Sequence, residues 1–298
     1  MVFLDANPFI WKEGSEGSSL KRLEFSEVIS SLLVFLQAYL LLHTRNMLGV
    51  FIGTPSGTKL VFSHRGDDTK FPNPGNVFAQ LKEDLLREID STFVMTDSSY
   101  LPASTVSRHG SQLAAGLSQS LCFHKKMKIL SSQDAHSVRS RLLVINVSED
   151  VASQYIPMMN VIFCAQRDYV PIDVLQLCTH KSSFLQQAAE LSNGVYLELP
   201  KAGQLLPEMM LHLLPDERLR PVFRQTSGHM VDYRASCFCH RQRVDIGFVC
   251  SVCLSIFCQA NSPICAACGS RFPKGAPPRS VSLKKQKKSE QNSALAAH

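Results

Sequence analysis

A doubly wound α/β domain, its sheet mostly parallel with one antiparallel edge strand, followed by a small zinc-binding module, is the architecture this 298-residue chain predicts. Three observations carry it. Short runs rich in branched residues alternate with helix-period segments over residues 1–215, the pattern of a parallel sheet covered on both faces. Two such runs, Leu48 to Gly53 and Lys59 to Phe62, flank Pro55-Ser56-Gly57 and read as a hairpin that puts one antiparallel strand at an edge. Seven of the ten cysteines then crowd between Cys237 and Cys268.

In chain order the expected strands are Val2 to Leu4, the hairpin pair, Arg141 to Asn146, Pro171 to Leu177 and Val195 to Leu199. Helical periods fall at Leu20 to His43, Val77 to Phe93, Ser111 to Lys126, Ser153 to Arg167, Phe184 to Ser192 and Gly203 to Leu214. Ser111 suits a helix start, and Asn193-Gly194 supplies a residue tolerant of positive φ where a helix turns into the last strand. The apolar run Leu32 to Leu42 falls short of the roughly 20 residues a bilayer span needs, so a buried helix is expected and no membrane is involved. No internal repeat is evident. Pro221 and Gly228 break any period over 216–236, a connector; a cysteine-rich module follows over 237–272 and a basic, disordered tail over 273–298.

Charge narrows the function classes. Of the net +6, nearly all lies beyond Pro273, where Lys274, Arg279, Lys284, Lys285, Lys287 and Lys288 face a lone Glu290. The body is almost neutral and announces no phosphate-binding surface, while the tail suits a nuclear import signal, loose polyanion contact or simple solubilisation. No phosphate loop, nucleophile elbow or paired carboxylates occur, so no enzyme is expected. His109 and His124 read as solvated or hydrogen-bonded histidines, and Cys122, Cys164 and Cys178 as small core residues of a reduced, soluble intracellular protein.

The clustered cysteines point to metal. Thiolates two residues apart can grip one ion, so Cys250 with Cys253 and Cys265 with Cys268 make two forks of a tetrahedral zinc site. Cys237, Cys239 and Cys258, with His240 as the fourth donor, would hold a second zinc in a cross-braced arrangement; alternatively these thiols are buried around a single-zinc knot.

Asp5 ends the first strand, where ligand chemistry gathers in doubly wound sheets. Asp5-Ala6-Asn7-Pro8-Phe9 resembles the loop of von Willebrand factor A domains, in which an aspartate and two serines hold a divalent cation. Asn7 and Phe9 stand at the serine positions, Ser111 at that of a threonine ligand, and Glu149-Asp150 comes later than the usual aspartate. A hard cation wants about six oxygens, so the loop reads as degenerate.

Both ends of the chain sharpen the resemblance. Val231-Asp232-Tyr233-Arg234-Ala235-Ser236-Cys237-Phe238-Cys239-His240, the stretch Ile246 to Cys258, Asp5 to Pro8 and Tyr155 to Gln166 are similar to the small von Willebrand A-like subunit of general transcription factor IIH, the 34-kDa subunit family. The resemblance implies a non-catalytic nuclear subunit acting in RNA polymerase II initiation and nucleotide excision repair. It also implies docking onto the larger A-like, zinc-binding subunit and a zinc finger at Cys250, Cys253, Cys265 and Cys268. Compared with that family the first strand is short, with only Met1 to Leu4 before Asp5. Two other classes compete. A RING-type ubiquitin ligase would share cross-braced zinc, but the C-x-C opening, the absent central histidine and the close Cys253 to Cys258 spacing argue against it. A zinc-dependent nucleic-acid binder would need more than Arg241, Arg243 and His240, offset by Asp245, so no sequence-specific DNA binding is expected.

Overall fold

The computed structural model of the chain describes residues 1–13, 24–66, 74–97, 110–131, 138–151, 154–177, 181–199, 204–216, 218–220, 222, 237–239, 244–259 and 263–271. They fall into two compact units, Met1–Asp232 and Tyr233–His298. The first is a six-stranded sheet of β1 (Val2–Asp5), β2 (Leu48–Gly53), β3 (Thr58–His64), β4 (Leu142–Asn146), β5 (Ile172–Gln176) and β6 (Tyr196–Glu198), in the order β3-β2-β1-β4-β5-β6. Only β2 and β3 pair antiparallel, as the hairpin signal requires. The strand order reverses between β1 and β4, which makes their carboxyl ends the topological switch point.

Both faces of the central strands are covered, which is why they read as unbroken apolar runs. Val2 and Leu4 of β1 belong to one core, with α1 (Pro8–Glu13), α2 (Phe25–Leu42), α3 (Pro74–Asp97) and α7 (Leu205–Glu208), the last continuing as a π turn over Met209–Leu213. Phe3 belongs to the other, with α4 (Leu113–Ser131), α5 (Tyr155–Arg167) and α6 (Ser183–Leu191). The Phe3 ring lies over two glycines: a Cβ on Gly53 would come 2.2 Å from it and one on Gly116 2.0 Å. Asn193 takes φ 57° at the turn into β6.

Several expectations are corrected. Helix α1 was not anticipated: its six residues are too few to show a period, although Pro8 at its first position is a start signal. Its Trp11 is buried and donates from Nε1 to the Asp5 carbonyl at 3.2 Å. Helix α2 begins at Phe25; residues 20–23 lie outside the described residues. At 18 residues it is long and apolar enough to cross a membrane by length and composition, more than the Leu32 to Leu42 run suggests. Its Val28, Ile29, Leu32, Phe35 and Leu36 are nevertheless buried in the first core. Cys122 is exposed and Cys164 half-buried, because α4 and α5 turn other residues inward; Cys178 and His109 lie outside the described residues. His124 is neither solvated nor hydrogen-bonded: it is 3% exposed and both ring nitrogens lack a partner.

Part of the stretch read as a connector belongs to the first unit. Arg220 is buried and donates from Nη1 to Asp173 Oδ1 at 2.8 Å and from Nη2 to Asp173 Oδ2, while the Val195 amide donates to Oδ1 at 3.0 Å. Arg141 donates to the carbonyls of Leu214 and Pro215, at 2.9 Å each, and so pins the end of the π turn.

Two outcomes follow for stability. Arg220→Ala strands the Asp173 carboxylate in the core and is expected to lower the unfolding free energy by about 3 kcal/mol, seen as a lower urea midpoint in the fluorescence of Trp11, the one tryptophan. Gly116→Ala drives a methyl group into the Phe3 ring and is expected to cost about 1–3 kcal/mol; Phe3→Leu in the same chain should recover part of that loss, and a purely additive pair would exclude the contact as its cause.

Candidate metal centres

In the second unit, β7 (Phe248–Val249) and β8 (Ile256–Phe257) form a two-stranded ribbon. The turn between them is one thiolate fork. The Cys250 amide donates to the Ser255 carbonyl and the Leu254 amide to the Cys250 carbonyl, both at 2.9 Å, with Leu254 at φ 60°. The second fork repeats this bond for bond: the Cys265 amide donates to the Ser270 carbonyl at 2.8 Å, the Gly269 amide to the Cys265 carbonyl at 2.9 Å, and Gly269 takes φ 72°. Even the serines match, Ser255 Oγ lying 3.0 Å from Cys253 Sγ and Ser270 Oγ 2.9 Å from Cys268 Sγ. Cys250-Ser251-Val252-Cys253-Leu254-Ser255 and Cys265-Ala266-Ala267-Cys268-Gly269-Ser270 are thus one device used twice, a correction to the absence of internal repeats.

These forks bring Cys250, Cys253, Cys265 and Cys268 together, every Sγ within 4.8 Å of the others. Across the forks, Cys250 and Cys268 stand 3.8 Å apart and Cys253 and Cys265 3.6 Å. Four sulfurs at the zinc–thiolate distance of about 2.3 Å define a tetrahedron with edges of about 3.8 Å, so the donor set fits such an ion in size and chemistry. Local polarity favours thiolates at two corners. Amides of Cys253 and Val252 lower the Cys250 pKa, and the Ser270 hydroxyl and amide bring Cys268 down to about 6. Burial first of all holds Cys265 up at about 11, the corner that a cation must deprotonate.

A separate cluster joins Cys237, Cys239 and Cys258, also within 4.8 Å. The Phe238 amide donates to the Ile256 carbonyl at 2.9 Å and ties the C-x-C turn to β8. Cys239 and Cys258 lie 3.4 Å apart but Cys237 and Cys239 only 2.6 Å, so this pair would have to part by about 1 Å to share one zinc. The neighbouring thiols of Cys239 and Cys237 raise Cys258 to about 12. This cluster supplies three donors, and His240 lies outside the described residues. Both clusters can hold a metal ion.

Packing points the same way. Among the described residues of this unit, the buried ones are Cys237, Cys250, Ser255 and Cys265, whereas Ile246, Val249, Val252, Leu254 and Ile264 are exposed. Sulfur occupies the place of a hydrophobic core.

At the switch point of the first unit, Asp5, Asn7 and Ser111 come together and all are buried. Asp5 Oδ2 accepts from the amides of Val147 at 3.2 Å and Ser148 at 2.8 Å. Asn7 donates from Nδ2 to Ser148 Oγ at 3.2 Å and accepts from the Phe9 amide through Oδ1 at 3.2 Å. Sequence reasoning missed Ser148, whose position two residues past β4 was its only signal. Burial pushes the Asp5 carboxyl up, against the lowering effect of Ser148, Val147 and Ser111; the Ser111 hydroxyl lies beside it without reaching hydrogen-bond geometry. Asp150 is not part of this group: it accepts from Ser182 Oγ at 2.5 Å, Ser183 Oγ at 3.0 Å and the Phe184 amide at 3.2 Å, and so secures the start of α6.

Residues 1–269 match the family model described as transcription factor Tfb4. The chain is 35% identical over 274 residues to the general transcription and DNA repair factor IIH subunit tfb4 of Schizosaccharomyces pombe, spanning 91% of this chain and 88% of that protein. It is 33% identical over 272 residues to general transcription factor IIH subunit 3 of Dictyostelium discoideum, spanning 83% and 68%. Among solved structures the N-terminal domain of TFIIH p34 has the same fold, with a TM-score of 0.58 and 24% identity over 70% of this chain and 94% of that one. The chain belongs to the Tfb4 family.

The matched forks make the backbone contribution measurable. A Cβ on Gly269 would meet nothing within 4 Å, so Gly269→Ala isolates the cost of its positive φ. About 1 kcal/mol is expected, an apparent metal affinity about fivefold weaker in competition with a chelator.

Proposed function

We propose that this chain is a non-catalytic structural subunit of the general transcription and DNA repair factor IIH core, acting in the nucleus in RNA polymerase II initiation and in nucleotide excision repair. Family membership across both units is the observation that carries the reading. Other subunits of the assembly are its partners, chiefly the larger von Willebrand A-like zinc-binding subunit, onto which the first unit docks. In the second unit Cys250, Cys253, Cys265 and Cys268 hold one zinc, and Cys237, Cys239 and Cys258 hold a second, with His240 completing the set. When bound, zinc supplies cross-links between forks that are far apart in sequence; the chain's own part is to hold thiolates at tetrahedral spacing.

Two features favour a scaffold. The loop at the switch point spends part of its donor set on itself, since backbone amides occupy Asp5 Oδ2 and Asn7 the Ser148 hydroxyl, leaving Asp5 Oδ1 and the Ser111 hydroxyl without a hydrogen-bond partner among the described residues. Around the sulfur core, the exposed Val249, Val252 and Leu254 form an aliphatic surface of the kind that a partner covers.

Co-expression with the other core subunits should give a complex with two zinc ions per copy of this chain by elemental mass spectrometry, and Cys250→Ser with Cys265→Ser should remove one of them and weaken incorporation about tenfold or more. Chelation should open the second unit to hydrogen exchange while the strands of the first stay protected. Incorporation unaffected by zinc loss would overturn the scaffold role of the module, and ubiquitin chains formed with purified conjugating enzymes would replace it with the ligase reading.

A further inference from the structure

A crevice of about 1580 Å³ runs along the amino ends of the parallel strands, the side of the sheet opposite Asp5. Arginines line it in strand order. Arg65 follows β3, Arg45 precedes β2, and Arg139 precedes β4, with Arg218 beyond the π turn. Neighbouring strands lie about 4.8 Å apart, so the row from Arg65 to Arg139 spans roughly 15 Å. Arg141 and Arg220 also line it but are committed to carbonyls and to Asp173. Arg45, Arg65, Arg139 and Arg218 have no carboxylate partner among the described residues.

The wall holds a second unmet group. His124 is almost wholly buried, lines the same crevice, and neither ring nitrogen has a hydrogen-bond partner. Burial lowers its pKa and so favours the neutral ring, a form with one N–H. A buried donor without an acceptor costs about 1–3 kcal/mol, a cost that an acceptor brought by a ligand removes. Apolar Phe35, Leu36, Leu42, Met210 and Leu213 share the lining with two carboxylates, Asp173, which is paired with Arg220, and Asp216.

We propose that this crevice binds an extended acidic and aliphatic peptide segment of a partner protein, its carboxylates on Arg45, Arg65, Arg139 and Arg218 and its apolar side chains against the helices between them. Guanidinium groups pair with carboxylates through two parallel hydrogen bonds, which fixes register as well as charge. A nucleic acid fits less well. Four free cations fall short of the six to ten phosphate contacts of a typical site, and aliphatic walls offer a phosphodiester backbone nothing. Of the aromatics that line it, Phe35 is buried and Tyr39 and Phe123 are half-buried, which leaves Tyr169, 91% exposed at the rim, as the one exposed ring among the described residues where base stacking wants several. The inference stands apart from zinc-dependent docking, since every residue it uses lies in the first unit.

The probe is a labelled synthetic peptide of about ten residues alternating Glu with Leu, long enough to cross the sheet at 3.3 Å per residue. Fluorescence anisotropy on the full chain should give binding that weakens with salt and is absent for the Gln-Leu counterpart. Arg45→Glu with Arg139→Glu, both exposed, should weaken it about tenfold or more. The same charge change placed elsewhere, Lys82→Glu with Lys126→Glu, should weaken it less than twofold. His124→Phe should weaken it a few-fold without altering the salt dependence. If the Glu pair disturbs the circular dichroism spectrum, Arg45→Gln with Arg139→Gln gives the same test. No binding, or equal loss in the crevice and control pairs, would overturn the proposal. So would tighter binding of a thymidine decamer that is lost with the crevice pair, which would make this a nucleic-acid surface. None of these outcomes depends on metal, so failure here leaves the subunit reading untouched.

Discussion

Strand β1 is four residues long, is paired on both sides and is buried on both faces, and the rest of the first unit is arranged around that constraint. So short a strand holds its place only if each side chain is fully used. Phe3 is the largest of them, and it fits because Gly53 on the neighbouring strand and Gly116 on α4 leave their Cβ positions to its ring. Val2 and Leu4 close the opposite core. Register is thereby fixed, because a slip of one residue would exchange the two faces and put an aromatic ring where the α2 layer expects an aliphatic chain. Asp5 is delivered to the switch point as a consequence.

What happens at that switch point explains why the site reads as shape rather than chemistry. The Asp5 carboxylate is taken out of water and half-satisfied by two backbone amides of the loop after β4. Asn7 is turned onto Ser148 and the Phe9 amide, and Trp11 caps the Asp5 carbonyl. These bonds tie β1, α1 and the β4 loop into one rigid corner. Asp5 Oδ2 serves as an internal acceptor while Oδ1 and the Ser111 hydroxyl accept from nothing among the described residues, and the carboxyl is pushed toward its neutral form by burial. A corner of this kind positions helices.

How much of this was legible in the sequence follows from the range of the forces involved. The central strands were readable because a parallel strand is apolar on both faces, which is a local property, and the hairpin because Pro55-Ser56-Gly57 is a local turn. Asp5, Asn7 and Ser111 were placed together through the family likeness. Ser148 was not, because its role is set by an aspartate and an asparagine of a remote segment. Helix α1 was too short for periodicity. The equivalence of the two forks escaped because Leu254 and Gly269 differ as letters and agree only as left-handed backbone. His124 looked like a surface residue since nothing in its neighbours says that α4 turns it inward. The arginines of the crevice are scattered along the chain, and only strand order lines them up.

The two units are stabilised by different physics, and this has a functional consequence. The first has two apolar cores and a charged seam, the pair of Arg220 and Asp173. In the second, the buried described residues are three cysteines and a serine, with no hydrophobic side chain among them. Apolar burial of that size cannot offset the conformational entropy of some 30 ordered residues, at 1 kcal/mol or more each. The thiolate clusters are groups that could hold a metal, whose bonds in small modules of this kind supply the folding energy. Its aliphatic residues are then free to point outward, since none is needed inside. A metal-built module can therefore present a hydrophobic surface that a protein of the same size with an ordinary core would have to consume.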